Sequence, residues 1–349
     1  MRFLSELGLS AFFIAQLTPE ELESLPVARV AATAHGHYTL LTATGPRPGS
    51  LAGRARGAGD LPTVGDWVVV EGEDALRIVR TLERASAFRR RGPDGASQVI
   101  AANVDTVFVV TAVGADYSVR RVERYLAALA SSGASPVVVL TKVDLVPDPL
   151  PRVRALERVL GTIPVVACSV VTGEGCAGLR DFVGPHRTAA FTGSSGVGKS
   201  TLVNWLCGEP RQDTGGIRLH DETGKHTTTA RTLVPLPGGG LLLDTPGMRA
   251  FALEGDADLE AVYAEVAAAA AACRYRDCQH GNEPGCAVQA GIAAGVIDSA
   301  RLAAWRKLER EAAFAVRRDD PAAVRKEQAR WKRIQQDSRA REALRRRNR

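Results

Sequence analysis

The residues best equipped for chemistry are Gly193, Ser194, Ser195, Gly196, Val197, Gly198, Lys199, Ser200 and Thr201, which read GSSGVGKST. A glycine, four residues and then Gly-Lys-Ser is the pattern of a phosphate-binding loop. Its glycines let backbone N–H groups approach phosphate oxygens, and a helix opening at the lysine favours negative charge. Lys199 is expected at the β- and γ-phosphates, and the Ser200 hydroxyl on Mg2+. The flanks fit: TAAF at 188–191 reads as a buried strand and STLVNWLCG at 200–208 as a helix.

Base selectivity must come from elsewhere. Thr141, Lys142, Val143 and Asp144 read TKVD and follow the apolar PVVVL. They resemble the guanine-reading Asn-Lys-x-Asp of GTPases. A carboxylate there accepts from the ring N–H and the exocyclic amine of guanine, a donor pair that adenine does not present. The apolar stem of Lys142 can cover the base. Thr141 replaces the usual asparagine, so one contact is either weakened or rebuilt. Ser169 and Val170, in CSV at the end of the next apolar segment, resemble the backbone element that meets the guanine carbonyl.

The order of these motifs is unusual. Asp144 precedes Lys199 by 55 residues, whereas the common arrangement puts the phosphate loop first. The cyclic order is intact and the chain starts elsewhere, which is a circular permutation. It is tolerated because ligand loops of a parallel sheet gather at one edge.

Two further segments bear on hydrolysis. DETGKHTTTAR at 221–231 is polar, as a switch is. One of Thr227, Thr228 and Thr229 is expected on Mg2+ and the γ-phosphate, with Thr228 preferred. In LLLDTPGMRAF at 241–251, Asp244 is expected to hold Mg2+ through water, and the Gly247 N–H to meet the γ-phosphate. Many GTPases follow that glycine with a water-positioning glutamine. Here Met248 follows, and a thioether is only a weak acceptor. His226 is the local candidate for orienting water, since imidazole both donates and accepts near neutral pH. The competing reading is a solvent-exposed loop histidine. A potassium ion is disfavoured, because GTPases that use one place asparagine where this chain has Gly196.

Cys273, Cys278, His280 and Cys286 bring three thiols and an imidazole into 14 residues, with Pro284-Gly285 to turn the chain back. Such a set fits one closed structural Zn2+ site rather than a disulfide framework. The ion would order a loop too polar to build its own core. Cys168, Cys176 and Cys207 are scattered.

The elements that must position these groups follow from periodicity. Residues 27–92 read as short strands between Gly/Pro turns, with TGPRPGS at 44–50 as one such turn, and suggest a small barrel. An OB-type barrel and an SH3-like one both satisfy that pattern. His35 and His37 are expected at its surface. Residues 97–253 alternate apolar strands with amphipathic helices, which implies a parallel sheet covered on both faces. Residues 254–349 read as mainly helical around the cysteine loop, with a break at Asp320-Pro321. Residues 1–26 form an N-terminal extension, expected as an amphipathic segment and not a signal peptide.

Of the chain, 45% is apolar and 24% charged, the balance of an ordinary globular protein. No apolar run reaches the roughly 18 residues of a membrane span. The net charge of +6 is uneven: residues 299–349 hold 17 Lys+Arg against 7 Asp+Glu, a balance of +10. That asymmetry points to an acidic partner such as nucleic acid, or else to a solvated basic helix. The FRRR cluster at 88–91 and a barrel of a type that binds nucleic acid add to the case for RNA.

Together the barrel, the permuted motifs with GSSGVGKST, GKHTTT and DTPG, and the Cys-Cys-His-Cys loop resemble the ribosome small-subunit-dependent GTPase A (RsgA) family over nearly the whole chain. The resemblance implies an N-terminal OB fold, a circularly permuted α/β GTPase binding GTP/GDP, and a C-terminal zinc domain. It further implies a cytoplasmic factor, expected as a monomer, in late maturation of the small (30S) ribosomal subunit, with hydrolysis stimulated by that subunit and its rRNA. In the family the glutamine position is apolar and the switch histidine is thought to act in hydrolysis, which favours the water-orienting reading of His226. Thr141 and Val170, for the usual Asn and Ala, are departures. Two other readings are an RNA-binding scaffold in which GTP only sets conformation, and a P-loop kinase, against which TKVD and the threonine-rich switch argue.

Overall fold

The structure is a computed structural model and describes residues 2–24, 26–34, 36–53, 60–73, 75–91, 97–114, 117–209, 231–244, 262–281 and 283–319. The chain divides into two compact units, Met1–Asp258 and Leu259–Arg349.

In the first unit, five strands build the barrel: β1 (Val27–Ala34), β2 (His37–Thr42), β3 (Gly45–Leu51), β4 (Trp67–Glu71) and β5 (Leu76–Thr81). β1 and β2 form a hairpin at Gly36, with φ +81. Along β2 the exposed His37 and Thr39 alternate with the buried Tyr38 and Leu40, the period-2 signature of a strand with one buried face. Tyr38 and Leu40 pack with Ala28, Val30, Val68, Leu76 and Ile78. β1 pairs with β4 and closes the barrel, and β3 runs parallel to β5. The order β1-β2-β3-β5-β4-β1 selects the OB type over the SH3-like one that periodicity left open.

TGPRPGS is a correction. It lies almost wholly in β3 rather than in a turn. Pro46 and Pro48 are two apart, so both ring nitrogens face the same way, and β3 pairs with β5 only from Gly49 onward. Proline is compatible with a strand that is open on one side.

Short helices α1 (Arg2–Glu6), α2 (Ala11–Ile14) and α3 (Pro19–Ser24) precede the barrel. Thr18 and Glu21 form a reciprocal capping box on α3, with Pro19 at its first position. Arg29 of β1 is buried and donates to three backbone carbonyls, those of Leu7, Gly65 and Asn103. It joins the N-terminal extension, a barrel turn and the chain leading into the next sheet. Strands β6 (Ala87–Arg91) and β7 (Ser97–Ala102) make a separate hairpin on which Phe88 is buried while Arg89 and Arg90 are exposed.

The mainly parallel strands follow: β8 (Thr106–Ala112), β9 (Ser135–Thr141), β10 (Val165–Cys168), β11 (Thr188–Gly193), β12 (Thr232–Pro235) and β13 (Leu241–Asp244). Their order is β10-β9-β8-β11-β13-β12, all parallel except β12, which runs antiparallel to β13. β8 and β11 are buried along their whole length, as strands covered on both faces must be. Phe108 stacks on Phe191 across that pair, with centroids 4.9 Å apart. Helix α4 (Val119–Leu129) starts at the Ser118 cap and buries Val122, Leu126 and Leu129, one stripe at helical spacing. Helices α5 (Leu150–Leu160) and α6 (Lys199–Cys207) complete the layers. β12 also pairs with barrel strand β1 at Ala32 and Thr232.

The second unit holds α7 (Ala264–Ala271), α8 (Ala287–Ala293) and α9 (Ser299–Asp319) around a small core of Tyr263, Val266, Val288, Ile297 and Leu302. Among the described residues, no helix is long and apolar enough to cross a membrane.

Candidate functional site

The parallel registers place the motifs at one sheet edge. Cys168 lies beside Thr141, Thr141 beside Ala112, and Val110 beside Gly193, so the loops after β10, β9 and β11 all leave the carboxyl ends of neighbouring strands. The chain runs outward from β8 to β10 and then resumes at β11 on the other side of β8. The phosphate loop therefore sits where the strand order reverses, the usual ligand crevice of such sheets.

Gly193 ends β11 with φ +142, and a Cβ there would lie 2.3 Å from the Val110 carbonyl oxygen. Only glycine fits. Val197 is buried and anchors the loop, while Ser195 and Gly196 face solvent. Gly198, with φ +99, stands at the start of α6 and has no side chain to cap its first turn. The amide groups there remain available to an anion, which suits a phosphate. Lys199 Nζ donates to the Gly193 and Ser194 carbonyls at 2.9 and 2.5 Å, so its ammonium is held within the loop. Ser200 and Thr201, on the first turn of α6, are half-buried.

The TKVD segment touches this loop directly. Thr141 is buried, and its hydroxyl lies 2.6 Å from the Val197 carbonyl and 3.2 Å from that of Thr111. Lys142 takes a left-handed φ of +60 and its Nζ donates to the Gly196 carbonyl at 2.7 Å. Val143 is buried, whereas Asp144 is exposed in the short turn Val143–Leu145.

Ser169 is buried in a tight turn: its N–H donates to the Glu174 carbonyl, and its carbonyl accepts from Gly173 and from the Cys176 thiol. Val170 is half-buried beside it. Gly175 shapes this turn, with φ +68 and a would-be Cβ 2.0 Å from the Ala167 carbonyl oxygen. The sequence reading leaves Cys176 as a scattered cysteine and passes over Gly175, for which the TGEG at 172–175 is the available turn signal. Cys168 is buried and its thiol is pushed up to about 12, chiefly by that burial, so it is an inert packing residue rather than a nucleophile.

Asp244 ends β13, half-buried and paired with Thr232. His226, Thr227, Thr228, Thr229, Gly247 and Met248 lie outside the described residues, as do His35, Asp320-Pro321 and the basic segment from 320 onward.

In the second unit, one ligand atom from each of Cys273, Cys278, His280 and Cys286 lies within 4.8 Å of the others. His280 turns Nδ1 inward, 3.5 Å from the Cys273 sulfur and 3.8 Å from that of Cys286. Its left-handed φ of +58 and a hydrogen bond from Gln289 to its carbonyl fix that direction. Cys286 also accepts from the Gln289 N–H at the start of α8. Gly285, φ +81, lies against Arg274 and returns the chain to the cluster. Four convergent soft donors are consistent with zinc binding.

A sheet of this order, with a phosphate loop and a guanine motif at its reversal point, defines a circularly permuted P-loop GTPase. A family profile described as RsgA GTPase matches residues 81–254. The chain is 44% identical over 98% of its length, and 98% of the other's, to "Small ribosomal subunit biogenesis GTPase RsgA" of Opitutus terrae. It resembles the crystal structure of YjeQ from Thermotoga maritima, with a TM-score of 0.64 at 26% identity over 82% of this chain and 98% of that one. YloQ, described as a circularly permuted GTPase, shares the fold with a TM-score of 0.61 at 22% identity over 83% and 95%. The chain belongs to the RsgA GTPase family.

Proposed function

We propose that this protein hydrolyses GTP as a late assembly factor of the small (30S) ribosomal subunit, binding rRNA and being activated by the subunit. Support comes above all from the junction of guanine motif and phosphate loop, through Thr141 to Val197 and Lys142 to Gly196, in a chain so similar to a named subunit biogenesis GTPase.

In this reading the amides from Gly193 through Thr201 cradle the phosphates and Lys199 neutralises them. Asp144 reads the guanine N–H and amine, Lys142 covers the base, and the Ser169–Val170 backbone meets the carbonyl. Ser200, Thr228 and, through water, Asp244 would hold Mg2+, which would supply charge neutralisation at the phosphates. Gly247 meets the γ-phosphate and His226 orients water in place of the glutamine that Met248 replaces. Cys273, Cys278, His280 and Cys286 hold one structural Zn2+. Arg89, Arg90 and the basic C-terminal segment meet RNA phosphates, so affinity falls with salt. The protein works in the cytoplasm, as a monomer in solution.

The test is GTP turnover at low salt, with and without purified small subunits, for wild type and His226→Ala. Slow intrinsic turnover, strong stimulation, and a stimulated rate about 100-fold lower in His226→Ala are expected. Equal turnover with and without subunits overturns the proposal. Unchanged stimulated turnover in His226→Ala removes that residue from the chemistry.

A further inference from the structure

A cavity of about 410 Å3 lies at the amino ends of the parallel strands, on the sheet edge opposite the phosphate loop. Thr106 at the start of β8, Ser135 at the start of β9, Pro164 before β10 and Arg187 before β11 all line it. The N-terminal extension covers it through Ser10 and Phe13. A hollow of this size between elements of one unit is the usual form of a small-ligand site. Its floor is rich in donors that protein does not use. Arg29 lines the cavity and is 2% exposed. A guanidinium has five N–H groups. The carbonyls of Leu7, Gly65 and Asn103 take three of them, and the Trp67 ring lies 5.7 Å from the guanidinium carbon. Asn103, buried beside it, gives one amide proton to the Gly65 carbonyl. Among the described residues, two N–H groups of Arg29 and one of Asn103 have no protein acceptor. Burial pulls the guanidinium down to about 10, which leaves it charged at neutral pH. The carboxylates that bear on that charge are engaged elsewhere: Asp66 by Arg84, and Asp105, which lines the cavity, by the Thr188 N–H at 2.7 Å.

We infer that this cavity is a second small-molecule site, separate from the phosphate loop, and that it takes a sugar phosphate with the phosphate toward Arg29 and Asn103. The fork of an arginine matches phosphate oxygens, and a buried donor gains most from a charged acceptor. Arg187, exposed and lining the same cavity, adds a second cation. Asp105 sets the other half of the choice. Its exposed carboxylate repels a second anionic group and accepts from a hydroxyl. A monophosphate on a hydroxyl-bearing body satisfies both ends, whereas a di- or triphosphate meets Asp105 with like charge.

The experiment uses the full chain with saturating GDP, so that the phosphate loop is occupied, and titrates ribose 5-phosphate by isothermal calorimetry. Ribose and inorganic phosphate are the comparisons. One site per chain with a Kd of about 1 mM or tighter is expected, with both comparison compounds weaker by about tenfold or more. Ser10→Trp places an indole in the cavity; the Ser10 side chain makes no capping bond to α2, so the helix does not depend on it. This variant is expected to lose ribose 5-phosphate and keep GDP. Arg29→Lys keeps the charge but loses the fork, and is expected to bind about tenfold more weakly. Where Arg29→Lys does not give a cooperative melt, Ser10→Trp decides. No binding by wild type, equal binding of inorganic phosphate, or wild-type binding by Ser10→Trp each overturns the site. Failure of GDP to bind is read separately and bears only on the phosphate loop.

Discussion

Lys142 Nζ donates to the Gly196 carbonyl at 2.7 Å across 54 residues of chain. The guanine motif and the phosphate loop are therefore in contact through protein atoms alone. The permuted chain order does not matter to this contact, because both segments leave the carboxyl edge of one parallel sheet. A preassembled pair of loops costs less to order when nucleotide arrives.

The tightest backbone requirement in the site is at Gly193. Gly193→Ala brings a methyl to 2.3 Å from the Val110 carbonyl oxygen in a φ region alanine avoids. The loop must move away from β8. Urea unfolding is expected to show a loss of about 2 kcal/mol, and titration with GDP a loss of measurable binding. A variant that binds GDP as wild type does would show that the loop tolerates the shift.

The N-terminal extension is pinned by charge. Arg80 donates to the Glu21 carboxylate at 2.5 and 3.3 Å, and this contact holds Glu21 below the usual carboxylate range. A carboxylate depressed in the folded state adds stability above its unfolded value of 4.5, and that stability disappears as pH falls through the folded value. Because Arg80 is more than a third exposed, solvent screening limits the pair. Glu21→Gln is expected to cost about 1 kcal/mol at pH 7, including the weakened cap. The difference from wild type should vanish at acid pH. Thermal melts across pH 3 to 7 check it, and a gap that persists at low pH assigns the cost to packing.

The cysteine loop should depend on its metal. The core of the second unit is small, and Cys286 contributes to it while its sulfur lies close to the other candidate ligand atoms. Chelation, or Cys286→Ser, is expected to remove most of the roughly 10 kcal/mol that a structural zinc site supplies. The readouts are one zinc per chain by atomic absorption in wild type and a drop in helical circular dichroism on chelation. Full helicity without metal would make the four residues a simple buried cluster.

Much of the site was legible because its signals are local. GSSGVGKST, TKVD and the Cys-x4-Cys-x-His-x5-Cys spacing each lie within a few residues, where turn chemistry and ligand type leave few alternatives. Period-2 alternation similarly exposed β2, and the continuous apolar runs exposed β8 and β9. The same local logic misread TGPRPGS, since proline and glycine argue for a turn until a one-sided strand position is available.

By itself the sequence determined which segments could carry chemistry: a phosphate-loop pattern, a segment resembling a guanine motif and a loop with four thiol and imidazole donors, in permuted order. Tertiary structure decided which barrel the strands close, since the β1–β4 closure and parallel β3–β5 pairing join segments with no shared local pattern. It also decided that Arg29 is buried beneath three carbonyls and that Thr141 serves the phosphate loop. The physical reason is range. Periodicity and turn preference act over a few residues, whereas a hydrogen-bond partner 56 residues away is chosen only once the sheet has brought both ends together.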